Sequence, residues 1–260
     1  MSWIQQILDE MPIGTEAIFL AIFLLLSIAA FFGKYIFRKH QNSPNDDQAK
    51  IVLGAILSLL GLLIGFVLTI SIGGYNDRQK TEENEAIVIG SAFQKIDLLP
   101  LDQQQNAQNI LIDYLDARVN FYQSDTQKEN TNWKNISLEK QNQLWQISTF
   151  EARQAPTPVN ASILSIFNDL YTTQEKTSVS WDFKIPNIVW GLIIFFALVA
   201  NFLIGYSARN IESGNILILV LPFLMALSLF IISEIDIPGK GVIHVTPDHL
   251  ITLKNTLIVK

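Results

Sequence analysis

The 260-residue chain has no cysteine. Disulfides, thiolate nucleophiles and Cys-ligated metals are therefore excluded, although the absence fits either side of a membrane and fixes no compartment. Histidine is nearly as scarce: His40, His244 and His249 are the only three. His244, Asp248 and His249 are close enough in sequence to share a metal. Two histidines and one carboxylate in a C-terminal tail are nevertheless a thin ligand set, and no metal or cofactor is expected. The chain also lacks HExxH, a Walker loop, GxSxG and a dinucleotide fingerprint, so an enzyme would have no nucleophile or base to name, and none is expected. Charged residues make up only 16% against 49% apolar residues, a balance foreign to soluble domains. The net charge of −6, with no basic stripe, argues against nucleic acid as a partner. The first sixteen residues contain no Lys or Arg, so the basic start of a cleaved signal peptide is missing.

What the chain has is long apolar runs. Stretches without Asp, Glu, Lys or Arg cover 17–33, 51–76, 185–208 and 213–233. Each is near the roughly 20 helical residues that a bilayer core of about 30 Å demands. The first is completed through residue 37 once Lys34 snorkels to the interface. The fold class that follows is an all-α integral membrane protein with transmembrane helices at 17–37, 51–72, 185–207 and 214–235. An N-terminal flank (1–16), a helical extramembrane domain (73–184) and a C-terminal tail (236–260) complete the chain.

Within the polar segment, 77–99 carries Ile89, Phe93 and Ile96 on one helix face and stops at Pro100. A second helix, 101–122, presents Leu111, Leu115, Arg118 and Tyr122. The stretch QSDTQKENTNWKNI, residues 123–136, has the composition of a loop, and a helix over 138–153 follows. Thr157 then offers an N-cap with Pro158 at the first helical position, and Ile163, Phe167 and Leu170 form the buried stripe. Past span four, Pro238, Gly239 and Gly241 break the helix. VIHV alternates like a short extended piece, and a final amphipathic helix begins near Asp248. The apolar run into Gly73–Gly74 exceeds the bilayer core, so span two is predicted to continue as a helix through the glycine pair, at about 2 kcal/mol relative to alanines.

Span two carries the most informative face. Gly54, Ser58, Gly61, Gly65 and Thr69 follow at steps of four, three, four and four, one stripe of small or hydroxyl residues. Close helix packing explains such a stripe, and Gly61–Gly65 is itself a GxxxG pair. A pore-lining helix in a symmetric oligomer explains it as well. No ring of acidic or basic residues sits inside the span. Asn201 in span three, on a face with Ala197 and Gly205, needs a hydrogen-bond partner in lipid, and packing accounts for it. Arg78, Glu82 and Glu85 share one helix face, which by charge pattern alone reads as exposed pairing worth a few tenths of a kcal/mol. The basic loop after span one (Arg38, Lys39, Lys50) and Arg209 between spans three and four belong in the cytoplasm by the positive-inside rule, which places the central domain outside it.

RQKTEENEAIVIGSAFQKIDLLP followed by YLDARVNFY resembles the bacterial bestrophin-like domain family, four-span membrane proteins similar at a distance to bestrophin ion channels. Arg78 stands seven residues before Glu85. Ala86, Ile89, Gly90, Ala92, Lys95, Leu99–Pro100, Tyr114 and Arg118 follow the family pattern, with Ser91 in place of Thr. Asp236, Pro238, Gly241, Val245, Thr246 and Pro247 resemble its C-terminal motif. Ile87 departs from the family's Asn and removes any polar role there. The resemblance covers roughly 61–250. It implies a multi-pass protein of the bacterial inner membrane, in contact with the lipid bilayer, and a homo-oligomer, pentameric by analogy, with span two around the axis. Inorganic ions would be its cargo, anions by the same analogy. It also implies a cytoplasmic helical region, opposite to the charge rule. A non-conducting sensor or scaffold, whose helical domain binds a ligand or partner, is the competing reading. The absence of any charge within the spans favours it.

Overall fold

The structure, a computed structural model, describes residues 15–37, 46–124, 126–208, 215–239 and 243–258. In chain order the helices are α1 (Thr15–Phe37), α2 (Asp46–Ile96), α3 (Leu101–Tyr122), α4 (Gln127–Gln154), α5 (Pro158–Asp182), α6 (Asn187–Ser207), α7 (Asn215–Asp236) and α8 (Asp248–Ile258). No strand occurs among the described residues, Ile243, His244 and Val245 of VIHV included; Val242 lies outside them. Four stretches, in α1, α2, α6 and α7, are long and apolar enough to cross a membrane. The chain is thus a multi-pass, all-α membrane protein.

At 51 residues, α2 is about 76 Å long at 1.5 Å per residue, far more than a bilayer core of about 30 Å. It passes through Gly73–Gly74 without a break. The two glycines have different surroundings: a Cβ at Gly73 would meet open space, whereas one at Gly74 would sit 3.3 Å from the Phe183 ring.

Contacts divide the chain into two units, one comprising Met1–Gly73 with Lys184–Ile237, the other Gly74–Phe183 with Pro238–Lys260. In the first, Leu26, Leu60, Val67, Ile193, Ala197 and Met225 form a buried core. Its outside is also apolar: Leu24, Phe32, Ile188 and Ile216 are all exposed, as lipid-facing residues must be. The tightest approach joins α1 to α6. A Cβ at Gly205 would fall inside the van der Waals shell of the Ala30 carbonyl oxygen, and one at Gly33 inside that of Phe202. Without a hydrophobic drive between helices in lipid, such backbone proximity is what dispersion needs. Phe19 and Phe23 on α1 meet Phe223 on α7 edge to face, at 5.8 and 6.1 Å.

The second unit packs the far half of α2 with α3, α4, α5 and α8 around Ile89, Ile96, Leu111, Leu115, Leu144 and Leu170. Thr157 caps α5 as its sequence predicts, accepting the Asn160 N–H at 3.3 Å, with Pro158 at the first position. Two stretches differ from their sequence reading. Most of 123–136 is helical, because α4 starts at Gln127, capped by the Thr126 hydroxyl that accepts the Glu129 N–H at 3.2 Å. Composition misled there because the buried line of α4 is itself largely polar: Ser137, Gln141, Leu144 and Ser148. The C-terminal tail does not trail in solvent, since Val245 and Leu250 join the core of this unit.

Candidate functional site

Steps of four and three place Arg78, Glu82 and Glu85 on one face of α2, and that face points inward. The three are 3%, 1% and 1% exposed, so the reading as exposed surface pairing is corrected. Glu82 and Glu85 find their partners on other helices rather than within their own turn.

Glu85 meets Arg118 of α3 in a two-point ion pair, Nε to Oε2 at 2.7 Å and Nη2 to Oε1 at 2.8 Å. This fork geometry is the strong form of the Arg–carboxylate contact. The Thr177 hydroxyl of α5 donates to the same Oε1, so one carboxylate ties three helices together. The guanidinium also lies over the Phe121 ring, 4.4 Å from its centroid, which adds a cation–π contact. Burial opposes the Arg118 charge, but the field and hydrogen bonds of Glu85 outweigh it, and the Arg118 pKa is raised. Burial first, then the Glu85 charge, pushes the Tyr114 phenol upward. Its oxygen accepts from Gln141 Nε2 at 3.1 Å. Polar bonding continues from Gln174 Nε2 to Ser137 Oγ at 2.8 Å. With side-chain exposures of 1% and 0%, the pair presents no face to a substrate; what it does is fix the helices.

Glu82 serves a different element. Its Oε1 accepts the Leu250 N–H at 3.0 Å, one of the backbone donors left over in the first turn of α8, and its Oε2 lies 2.7 Å from His249 Nδ1. A carboxylate at that end of a helix also suits the helix dipole. The hydrogen bond to Glu82 raises the His249 pKa above its ordinary value, against a small opposing effect of burial.

The span-two stripe belongs to the first unit. Gly54, Ser58, Gly61, Gly65 and Thr69 are all exposed, whereas Leu60 and Val67 are buried. Among the described residues, no heavy atom outside its own helix turn stands within 4 Å of a Cβ placed at Gly54, Gly61 or Gly65. Thr69 Oγ1 donates to the Gly65 carbonyl at 2.9 Å and keeps its lone pairs outward.

Asn201 is wholly buried in the first unit, donating to the Ala197 carbonyl at 2.7 Å and to Met225 Sδ at 3.1 Å, so it ties α6 to α7. Asp236 accepts the Ile185 N–H at 3.0 Å and joins the end of α7 to the start of span three. Pro247 is buried ahead of α8, Pro238 is half-buried, and Gly241 lies outside the described residues. The second unit also has a cleft of about 700 Å3, lined by Gly74 and Asp77 of α2, Tyr171, Glu175 and Lys176 of α5, and Phe183.

Sequence reasoning passed over Thr177, which gave no signal, being one hydroxyl in a polar helix. His249, weighed only as a thin metal ligand, is the partner of Glu82. The Gly33–Gly205 contact needs two helices to be seen at once. Gly239 has φ of 74°, and a Cβ there would press on Trp181 at 2.9 Å; its Pro–Gly dipeptide was the available clue.

The profile of the Bestrophin-like domain matches residues 20–250, most of the chain. No curated protein and no solved structure matches it.

Proposed function

Because the chain belongs to the bestrophin-like domain family, we propose that it is an ion channel, a homo-oligomer in which the membrane half of α2 stands around the axis. The observation that carries this reading is the outward stripe. Gly54, Ser58, Gly61, Gly65 and Thr69 are exposed on a helix whose opposite side is packed, and among the described residues no neighbouring element comes within 4 Å of a Cβ at any of the three glycines. Small residues widen a path, the Ser58 and Thr69 hydroxyls offer oxygens to water or ions, and the apolar residues between them can gate by dewetting. The number of copies, five, comes from analogy with bestrophins. The purified protein in liposomes should pass potassium, sodium or chloride. Flux no greater than that of empty vesicles for all three overturns the reading. Phenylalanine at Gly61 or Gly65 should change conductance with the amount of folded protein unchanged, because among the described residues no neighbouring element stands within 4 Å of a Cβ there.

One observation favours a second reading, a sensor that does not conduct. The cleft beside Gly74 is large enough for a small ligand and mixes Asp77, Glu175 and Lys176 with the Tyr171 and Phe183 rings. A dimer without an axial void would support this reading over the channel.

A further inference from the structure

The cleft of about 700 Å3 lies wholly in the second unit, and its long wall is one face of α5. Tyr171, Glu175, Val179 and Asp182 fall within about 80° of one another round that helix and span about 16 Å along it. All four are exposed. The opposite wall is α2, through Asp77 and through Gly74, whose missing side chain leaves room for the Phe183 ring 3.3 Å from where a Cβ would stand. Tyr171, Val179 and Phe183 are 54%, 63% and 53% exposed, an apolar lining that the described residues leave uncovered.

The ionisable groups in this lining are Asp77, Glu175, Lys176 and Asp182, so carboxylates outweigh ammonium groups by two charges. Among the described residues no hydrogen bond or ion pair engages any of the four. Asp182 is the most telling of them, because it ends α5, where a carboxylate opposes the helix dipole, and no basic residue in the last turn relieves it. The helix gains nothing from it there. Seven residues, about 10 Å of helix, separate Glu175 from Asp182, with Val179 between them.

We infer that this cleft binds a linear aliphatic diamine. One ammonium sits against Asp77 and Asp182 beside the Phe183 ring, the methylenes lie along Val179, and the second ammonium reaches Glu175 near the Tyr171 ring. Two positive charges match the two in excess. Ammonium–carboxylate hydrogen bonds are the strong, charge-assisted kind, and ring faces attract the same cations. A monoamine satisfies only one end of such a cleft, and an anion meets three carboxylates. Lys176, about 100° round α5 from Glu175, opposes the second ammonium and limits the affinity. The inference deepens the second reading above, in which the same cleft takes a ligand. Ion flux and the axial void decide that reading, so either can fail alone.

The test is titration calorimetry of the full-length protein in detergent with 1,5-diaminopentane, pentylamine and glutarate. The diamine should bind about tenfold tighter than pentylamine, the worth of one further charged hydrogen bond, and glutarate should not bind. Glu175→Gln should remove the diamine's advantage and leave pentylamine unchanged. Asp182→Asn should weaken both amines, and Lys176→Gln should tighten the diamine alone. Val179→Trp fills the cleft from an exposed position and should abolish binding of both. Glu129→Gln, at an exposed carboxylate of α4 outside the cleft, should change nothing. A diamine that binds no tighter than pentylamine overturns the inference, as does glutarate binding in its place or diamine binding that survives Val179→Trp. So does a loss on Glu129→Gln equal to that on Glu175→Gln, which is general attraction to an acidic chain. A disulfide between two copies of Val179→Cys, in a chain with no other thiol, puts a second copy in the cleft and overturns it as well.

Discussion

Replacing Glu85 by alanine removes one carboxylate and leaves two donors without their acceptor, Arg118 Nε and Nη2, formerly at 2.7 and 2.8 Å, while the Thr177 hydroxyl keeps the Thr173 carbonyl at 3.3 Å. The guanidinium is then a cation in a core where its side chain is 1% exposed, with the Phe121 face 4.4 Å away as its main compensation. Breaking a buried pair from one side costs about 3–5 kcal/mol, and a cation–π contact returns on the order of 1–2. The expected loss is therefore about 1–4 kcal/mol, a large part of the stability of a helical unit this size. Replacing both partners, Glu85→Ala with Arg118→Met, removes the orphaned charge and keeps an apolar stem in its place. That double variant should be more stable than Glu85→Ala alone. Denaturant unfolding of the full-length protein in detergent reads the difference through Trp181, whose ring lies 4.7 Å from Phe121 and 5.6 Å from Tyr122. If the single costs sum to the double within about 0.5 kcal/mol, the pair is not the coupled unit that its geometry describes.

Alanine at Gly205 or Gly33 must push α1 and α6 apart at a backbone contact and should cost at least about 1–3 kcal/mol, seen as lower detergent-resistant yield, whereas Gly61→Ala should leave the yield unchanged. The His249 pKa is raised by Glu82, with Glu83 and Asp248 acting in the same direction. The docking of α8 should therefore be firmest below about pH 6.5 and should loosen as pH rises through the folded value; exchange of the Leu250 amide reports this, and His249→Gln should flatten the profile. If the central domain lies outside the cytoplasm, Lys128→Cys, at an exposed site in a chain without thiols, should take up a membrane-impermeant maleimide in intact cells. Labelling only after lysis would support the cytoplasmic orientation of bestrophins instead.

The spans were plain in the sequence because hydrocarbon imposes one demand, about 20 uncharged helical residues, and four runs meet it. Leu111, Leu115, Arg118 and Tyr122 could be placed together on α3 because apolar and aromatic residues dominate that face, and all four are buried. The same reasoning failed on Arg78, Glu82 and Glu85, because three charges on one face look like solvent exposure unless their partners can be seen. Those partners lie 33 residues away for Arg118, 92 for Thr177 and 168 for Leu250. Periodicity reports which residues share a face, and chemistry across that distance decides which way the face turns. The opening of α4 was misjudged for a related reason: its buried Ser137 and Ser148 donate to the Lys134 and Trp145 carbonyls of their own helix and Gln141 donates to the Tyr114 oxygen, a kind of interior that hydropathy cannot register.

Within the second unit one carboxylate sets the rotation of α2. Glu85 is clamped from two sides, by Arg118 of α3 and Thr177 of α5, and works as a key in a shaft. Turning that half of α2 by the roughly 100° of one residue would drag the carboxylate out of its slot and leave the Arg118 guanidinium without its two acceptor oxygens.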